Sequence, residues 1–287
     1  MNGLKEKILL SNGTKIPVIG FGTFAISEGK EIINAVKNAL EVGYIHFDTA
    51  SIYKNETGVG IALNEAIKAG KIKREDIFVT TKVWNDDQGY ENTLKAFETS
   101  LKKLNLDYVD LYLIHWPITK KYGDDWKNMH KQTWKAMEEL YKAGKIKALG
   151  VSNFSINHLE PLLEICEIKP VVNQIEMHIG HIQTETSEFC KKHGIAVEAW
   201  GPLGQGKILK DERIGEIAKK YEKSIAQTCL RWLVQQGIIV LPKSTSPERM
   251  VDNSNIFDFE LLEEDMKKLS EIRFDNLEFR DPNAIRY

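Results

Sequence analysis

No proline-, glycine- or serine-rich stretch divides this sequence, and no segment of it is low in complexity. That absence leaves no linker to separate domains, and 287 residues suit one large domain, 1–287. Cysteine is scarce: Cys166, Cys190 and Cys229 are odd in number and far apart. Such spacing excludes a disulfide framework and gives no zinc motif; each falls in a helical pattern, as a small core residue would. No apolar run approaches the roughly 20 residues of a membrane span. The opening MNGLKEKILLSNG is too short and too charged for a secretory leader, so the cytoplasm is the expected compartment. Neither sign of charge dominates, with 39 Lys and Arg against 41 Asp and Glu. The basic runs, Lys71 to Arg74 and Lys102–Lys103, are short and offset by nearby acids. Nucleic-acid binding, which needs clustered cations, is therefore not expected. His178 and His181 lack a supporting carboxylate cluster, and no metal site is expected there.

What is present is an alternation. Eight short apolar runs read as buried strands: 18–22, 44–49, 77–83, 108–116, 146–152, 171–176, 195–200 and 238–243. Most are nearly continuous in apolar residues, as expected of parallel strands covered on both faces. Amphipathic stripes lie between them. Ile32, Ile33, Val36 and Leu40 make one; Leu94, Phe97, Leu101 and Leu104 another; Ile225, Cys229, Trp232 and Leu233 a third, opened by a Ser224–Gln227 capping box. Eight such units predict an α/β fold, a (β/α)₈ TIM barrel. Ahead of them, Asn12–Gly13 between apolar runs predicts a β-hairpin closing the barrel bottom. A doubly wound nucleotide-binding fold is the competitor, but GFGTFA lacks the last glycine of G-x-G-x-x-G.

Barrel active sites lie at the C-terminal ends of the strands. There the sequence places Asp48 with Tyr53 after it, Lys82 then Trp84, and His115 then Trp116. Further on come Ser152 and Asn153, then Gln174, Trp200 and Lys243-Ser244-Thr245. Each alone has a bland explanation: a strand-end cap, a half-buried aromatic, a core histidine. Together they make chemical sense. A free tyrosine, with a pKa near 10, is a poor acid at neutral pH. A neighbouring ammonium is expected to lower that pKa, and a carboxylate to hold the ammonium. A histidine can orient a substrate oxygen. The hydride that must meet the carbonyl carbon has to come from a cofactor.

The segments GFGTF, FDTASIYKNE, VTTKVWN, DLYLIHWP, GKIKALGVSNF, VVNQIE, EAWGPLGQG and LPKSTSPERMVDNSNIFDFEL, in this order, resemble the aldo-keto reductases nearly end to end. The branch resembled includes 2,5-diketo-gluconate and glyoxal or methylglyoxal reductases. The resemblance implies a catalytic tetrad of Asp48, Tyr53, Lys82 and His115, with Tyr53 as acid. It implies NADPH as cofactor, met by Gly22, Thr23 and Asp48, with Ser152, Asn153 and Gln174 on the carboxamide. Trp200 would stack on the nicotinamide, beside Gly201, with Leu203, Gln205 and Gly206 along the pyrophosphate. Lys243, Ser244, Thr245 and Arg249 would hold the 2′-phosphate, and Asn253 would lie near the adenine. Ser246 as N-cap and Pro247 as first helical residue place a helix N-terminus there, which favours phosphate. Phe24, Trp84 and Trp116, with Tyr53 and His115, would line the substrate pocket.

Some positions depart from the family pattern. Gly201 stands where serine is common, EMHIGH (176–181) lacks the usual proline, and Asp252 replaces a glutamate. Residues 117–134 read as a long loop overhanging the pocket. The expected protein is a monomer that reduces an aldehyde or ketone. Two alternatives stay open: a non-catalytic cofactor-binding subunit resembling potassium-channel β subunits, and an alcohol dehydrogenase working in the oxidative direction.

Overall fold

The computed structural model describes residues 3–275 and 279–284. An antiparallel hairpin comes first, β1 (Lys7–Leu9) and β2 (Lys15–Pro17). Its turn runs through Asn12 and Gly13, and Gly13 has φ 85°, a conformation that strains any residue with a Cβ. Asn12 Nδ2 and Thr14 Oγ1 donate to the Lys147 carbonyl at 3.0 and 3.2 Å. Leu10 and Ile16 pack with Phe78, Val172 and Ile239, which lie at the N-terminal ends of their strands, so the hairpin caps the barrel bottom as expected.

Eight parallel strands follow: β3 (Phe21–Gly22), β4 (His46–Asp48), β5 (Phe78–Val83), β6 (Val109–Ile114), β7 (Ile146–Ser152), β8 (Val172–Glu176), β9 (Ala196–Trp200) and β10 (Ile239–Leu241). They pair in chain order. The Val18–Gly20 segment closes the ring: the Gly20 N–H donates to the Val240 carbonyl at 2.8 Å, and the Val240 N–H to the Val18 carbonyl at 3.0 Å. Several strands are shorter than their apolar runs, notably 18–22, 44–49 and 238–243. Stagger between tilted barrel strands leaves run ends buried but without a ladder partner; Tyr44 is one of these.

The helices are α1 (Lys30–Val42), α2 (Glu56–Lys68), α3 (Tyr90–Leu104), α4 (Trp126–Lys142), α5 (Ile156–Ile165), α6 (Thr184–Lys192), α7 (Glu212–Lys220), α8 (Ile225–Gln235), α9 (Pro247–Ser254) and α10 (Glu263–Glu271). Their apolar stripes bury against the outer face of the strands in one extended cluster. The capping box of α8 forms: Ser224 Oγ accepts from the Gln227 N–H at 3.1 Å, and Gln227 Oε1 from the Ser224 N–H at 2.9 Å. Cys190 and Cys229 are buried on α6 and α8, whereas Cys166 lies just past α5 and is half-buried.

The long loop expected over 117–134 is not one. Helix α4 starts at Trp126, and its buried face includes His130 and Thr133 beside Trp134 and Met137. Those two polar residues interrupt the apolar stripe and hide its helical period. The remaining connection leans on the segment after β5, where Tyr122 Oη donates to the Gln88 carbonyl at 2.9 Å and Lys121 Nζ to the Asp86 carbonyl at 2.8 Å.

Gly60 shows how tightly the helix ring packs. A Cβ there would lie 2.4 Å from the Leu104 carbonyl oxygen, which is backbone and cannot swing away. Gly60→Ala should therefore lower stability by about 1–3 kcal/mol, the usual range for overpacking, despite alanine's better helix propensity. Thermal unfolding checks this, and an unchanged or raised Tm would mean that α2 and α3 can part freely.

Candidate active site

Strand ends bring the four predicted residues together. Asp48 closes β4, Lys82 is the penultimate residue of β5, and His115 follows β6 directly. Tyr53 is presented by a single 3-10 turn, Ser51–Tyr53. That turn is held from below: Asn55 Nδ2 donates to the carbonyls of Thr23 and Ile26 at 2.9 and 3.0 Å, and Asn55 Oδ1 accepts from Thr49 Oγ1 at 2.9 Å. Lys82 Nζ lies 2.7 and 2.8 Å from the two Asp48 carboxylate oxygens, 3.0 Å from the Thr49 carbonyl and 3.4 Å from Tyr53 Oη. Lys82 is fully buried. The rings of Tyr53 and His115 meet edge to face at 5.7 Å.

Burial sets the protonation states here. It raises the Tyr53 pKa above its ordinary value; the Lys82 charge lowers it, but not enough to reverse the shift. The expected net lowering is thus corrected. A buried phenolate is costly, and the ammonium is already engaged by a carboxylate at shorter range. Tyr53 therefore keeps its proton at neutral pH. Burial also works against the Lys82 charge, but Asp48, then Tyr53 and Glu198, more than offset it and lift the pKa above the ordinary value. His115 is pushed well down by burial, with Lys82 and Arg280 adding to the shift, so its imidazole is neutral.

Around this centre the other predicted residues fall on one rim. Thr23 Oγ1 donates to the Asp48 carbonyl at 2.9 Å, and Gly22 closes β3. Asn153 has a left-handed backbone, φ 62°; its Nδ2 donates to the His115 carbonyl at 3.0 Å, and its Oδ1 accepts from Trp200 Nε1 at 2.7 Å. Ser152 Oγ donates to the Gln174 carbonyl at 2.8 Å. Gly201 has φ 63° with open space where a Cβ would point, so serine there would be limited by backbone strain and not by room. Leu203 precedes a tight turn, Gly204–Gly206, in which Gln205 is left-handed and exposed. Lys243 and Arg249 are exposed, Ser244 and Asn253 buried, and Thr245 half-buried. The α9 N-terminus is capped by Ser246, whose Oγ accepts from the Arg249 N–H at 3.3 Å. Asp252 accepts from Ser224 Oγ at 2.8 Å and so is turned toward the start of α8.

Of the predicted pocket aromatics, Phe24 is 55 % exposed and packs on Tyr53, and Trp84 packs on His115, whereas Trp116 is only 3 % exposed. A nearby groove of about 350 Å³ shares Ser51 and Trp84 with this mouth but is lined by none of the four central residues. Among the described residues no group of three or more His, Cys, Asp or Glu could hold a metal. His178 and His181 instead pair by backbone, with Phe279 stacked on His181 at 4.0 Å.

The sequence reading missed three features. Asn55 is fully buried and ties two loops together; its place beside buried Glu56 in YKNE was a usable signal. Glu198 and His46 lie buried beneath the tetrad; a Glu inside the apolar run IAVEAW was the signal. The C-terminal segment reaches the mouth, where the Arg280 charge acts on both Tyr53 and His115 and Asn283 Oδ1 accepts from Asn157 Nδ2 at 2.9 Å. Polar and aperiodic, that segment gave no signal.

Residues 18–273 match the aldo/keto reductase family. A glyoxal reductase of Bacillus subtilis (strain 168) is 49 % identical over 284 residues, 99 % of each chain. The crystal structure of MGS-M4, an aldo-keto reductase enzyme from a Medee basin deep-sea metagenome library, superposes with TM-score 0.91 at 46 % identity, covering 98 % of this chain and all of that one. A Gox0644 mutant crystallised in complex with NADPH gives TM-score 0.89 at 40 % identity over 99 % of each chain. With the family matched from the closing segment of the barrel to beyond α10, and a relative of nearly half identity spanning the full length, this chain belongs to the aldo/keto reductase family.

Proposed function

We propose that the chain is an NADPH-dependent reductase of aldehydes or ketones, with Tyr53 as the proton donor. One observation carries this reading: a fully buried Lys82 ammonium bound to the Asp48 carboxylate and 3.4 Å from the Tyr53 hydroxyl. The cofactor's residues fit on their own terms. A Cβ at Gly201, next to Trp200 in the chain, or at Gly206 would meet only open space. At the far end Lys243 and Arg249 stand exposed at the α9 N-terminus, which favours an anion. Bound NADPH supplies the hydride. Ser152, Asn153 and Gln174 would hold its carboxamide, Trp200 its ring face, and Leu203, Gln205 and Gly206 its pyrophosphate, with Asn253 towards the adenine.

The chain's own groups do the rest. Neutral His115 donates to the substrate carbonyl oxygen and orients it. Tyr53 Oη gives its proton to that oxygen, and Lys82 stabilises the phenolate left behind. Asp48 keeps Lys82 charged and in place. Phe24 and Trp84 wall the pocket, with Trp116 behind them. The same reading takes the chain as one barrel domain, a cytoplasmic monomer; no helix among the described residues is long and apolar enough to cross a membrane. Small dicarbonyls are the first substrates to try, since a relative is named a glyoxal reductase. A panel of glyoxals, keto-sugars, aromatic aldehydes and steroids, followed by NADPH absorbance, tests the proposal. Tight NADPH binding with no turnover of any carbonyl would sink it in favour of a cofactor-binding subunit.

Cofactor choice gives a separate prediction. The 2′-phosphate would meet Lys243, a point charge, and Arg249, a fork suited to phosphate oxygens. Charge-assisted hydrogen bonds contribute about 1.5–3 kcal/mol, or roughly 10- to 100-fold in affinity. Glu248 sits in the same first turn, held by Ser246 Oγ at 2.5 Å, and its charge opposes the phosphate, which favours the low end. Arg249→Ala should weaken NADPH about tenfold, leave NADH nearly unchanged, and make NADPH affinity less sensitive to salt. Quenching of tryptophan fluorescence measures this. Equal losses for both cofactors would remove Arg249 from the phosphate site.

A further inference from the structure

Beneath the tetrad lies a second acid that the proposed chemistry does not use. Glu198 on β9 is in register with Gln174 on β8, and both are buried. Gln174 Nε2 donates to Glu198 Oε2 at 2.6 Å and to Asp48 Oδ2 at 2.9 Å. Strands β4 and β8 are not neighbours, so the second bond crosses the barrel interior. Glu198 Oε1 has no hydrogen-bond partner and lies 3.6 Å from His46 Nε2. His46 Nδ1 faces the Pro17 carbonyl at 3.4 Å, and Nε2 faces Thr80 Oγ1 at 3.4 Å.

These contacts locate a proton. A carbonyl only accepts, so Nδ1 carries the hydrogen, and the bare Nε2 has the Thr80 hydroxyl as its nearer neighbour, with Glu198 Oε1 beyond hydrogen-bond range. An ionised carboxylate oxygen buried without a donor is costly, so the geometry favours a neutral Glu198 with its proton on the unpartnered Oε1. The same conclusion follows from charge. The groups facing Glu198 are Asp48 and His46 from β4, Lys82 from β5 and Gln174 from β8, with Lys82 the one fixed cation. Asp48 already engages that ammonium, and a second buried carboxylate would be unpaired. The titration behaviour agrees: burial, then the Asp48 charge, pushes Glu198 well above the usual carboxylate range, and burial pushes His46 down to about 3.

We propose that Glu198, as a neutral acid, is a positioning residue that locks the Gln174 amide. Both amide hydrogens are taken by acceptors, Asp48 and Glu198. A flip would turn the amide oxygen against those two acceptors, so Oε1 is committed to the opposite side. There it accepts from the cofactor carboxamide, a step that rests on the cofactor placement proposed above. Glu198 thus sets the nicotinamide end through Gln174, without touching the cofactor.

The test uses two ligands and a double-mutant cycle. NADPH spans both ends of the site, whereas 2′,5′-ADP reaches only the adenosine end. Glu198→Leu keeps the volume and removes the acceptor; Glu198→Met replaces it if thermal unfolding shows that the leucine variant does not fold. A lost neutral hydrogen bond corresponds to about a three- to tenfold change in affinity. Glu198→Leu should weaken NADPH by that factor and leave 2′,5′-ADP unchanged. Gln174→Leu should do the same, and the double variant should be no worse than either single one. Glu198→Gln, which can place a carbonyl toward Gln174 and an N–H toward His46, should restore most of the lost affinity. Additive losses in the double variant, or no NADPH loss in Glu198→Leu, would overturn the role of Glu198 alone. Equal loss of 2′,5′-ADP would reduce it to general stability. An intact NADPH affinity in Gln174→Leu would overturn both this inference and the Gln174 contact on which it rests.

Discussion

Tyr53→Phe should cut kcat for carbonyl reduction by about 10²–10⁴-fold, the usual contribution of a general acid, while NADPH binds as before. The phenylalanine keeps the ring that packs against Phe24 and His115, and removes only the hydroxyl 3.4 Å from Lys82 Nζ. The loss should therefore fall on kcat with little change in cofactor affinity, the pattern of an interaction made in the transition state. Because burial raises the Tyr53 pKa, the wild-type rate of reduction should stay flat through neutrality. It should fall only at alkaline pH, once the phenol loses its proton. Steady-state kinetics with a reactive aldehyde, alongside fluorescence titration of NADPH, measure both quantities. If most of the turnover survives, the proton comes from elsewhere, and water held by His115 becomes the next candidate.

Lys82→Met is expected to damage stability and activity together. Lys82 is fully buried and Asp48 is 4 % exposed. Removing the ammonium leaves the carboxylate with Gln174 Nε2 at 2.9 Å as its remaining side-chain donor. Breaking a buried pair from one side costs about 3–5 kcal/mol, because the other charge stays buried without compensation. Turnover should fall as severely as in Tyr53→Phe, since the phenolate formed after proton transfer loses its nearest positive charge. Adding Asp48→Asn removes the orphaned charge, so the double variant should recover much of the stability but none of the turnover. Denaturant unfolding and steady-state kinetics on the three proteins separate the two effects. A double variant no more stable than Lys82→Met would mean that the pair is not the source of the loss. Recovered turnover would mean that Lys82 has no part in the chemistry.

The barrel and its four central residues were legible because both depend on local patterns. Continuous apolar runs at regular spacing mark strands covered on both faces, and in a parallel barrel each strand end is an active-site position whatever surrounds it. Asp48, Lys82 and His115 could therefore be placed by counting to the ends of β4, β5 and β6. Ser224 and Gln227 at α8, and Ser246 and Pro247 at α9, were legible for the same reason, since a cap is decided within four residues. Helix α4 was misread where His130 and Thr133 replace apolar residues on its inner face, because partners distant in sequence receive them there: the Pro117 carbonyl and Phe154 ring for His130, and the Gly89 N–H for Thr133.

What the sequence alone determined, then, is the set of groups delivered to the mouth of the barrel, since strand order and alternation carry that information in the chain itself. Only the tertiary structure decided their charges and their neighbours. The direction of the Tyr53 shift depends on how the cost of burial compares with one ammonium already 2.7 Å from a carboxylate, and no spacing in the chain encodes that balance. The contact between Gln174 and Asp48 crosses the barrel from residues 126 positions apart. The neutral state proposed for Glu198 depends on its burial in the closed ring beside the Asp48 charge, and the Arg280 charge that acts on Tyr53 and His115 depends on where the chain lies after α10. Each of these is set by distance and dielectric in the folded interior, which the closure of the ring creates.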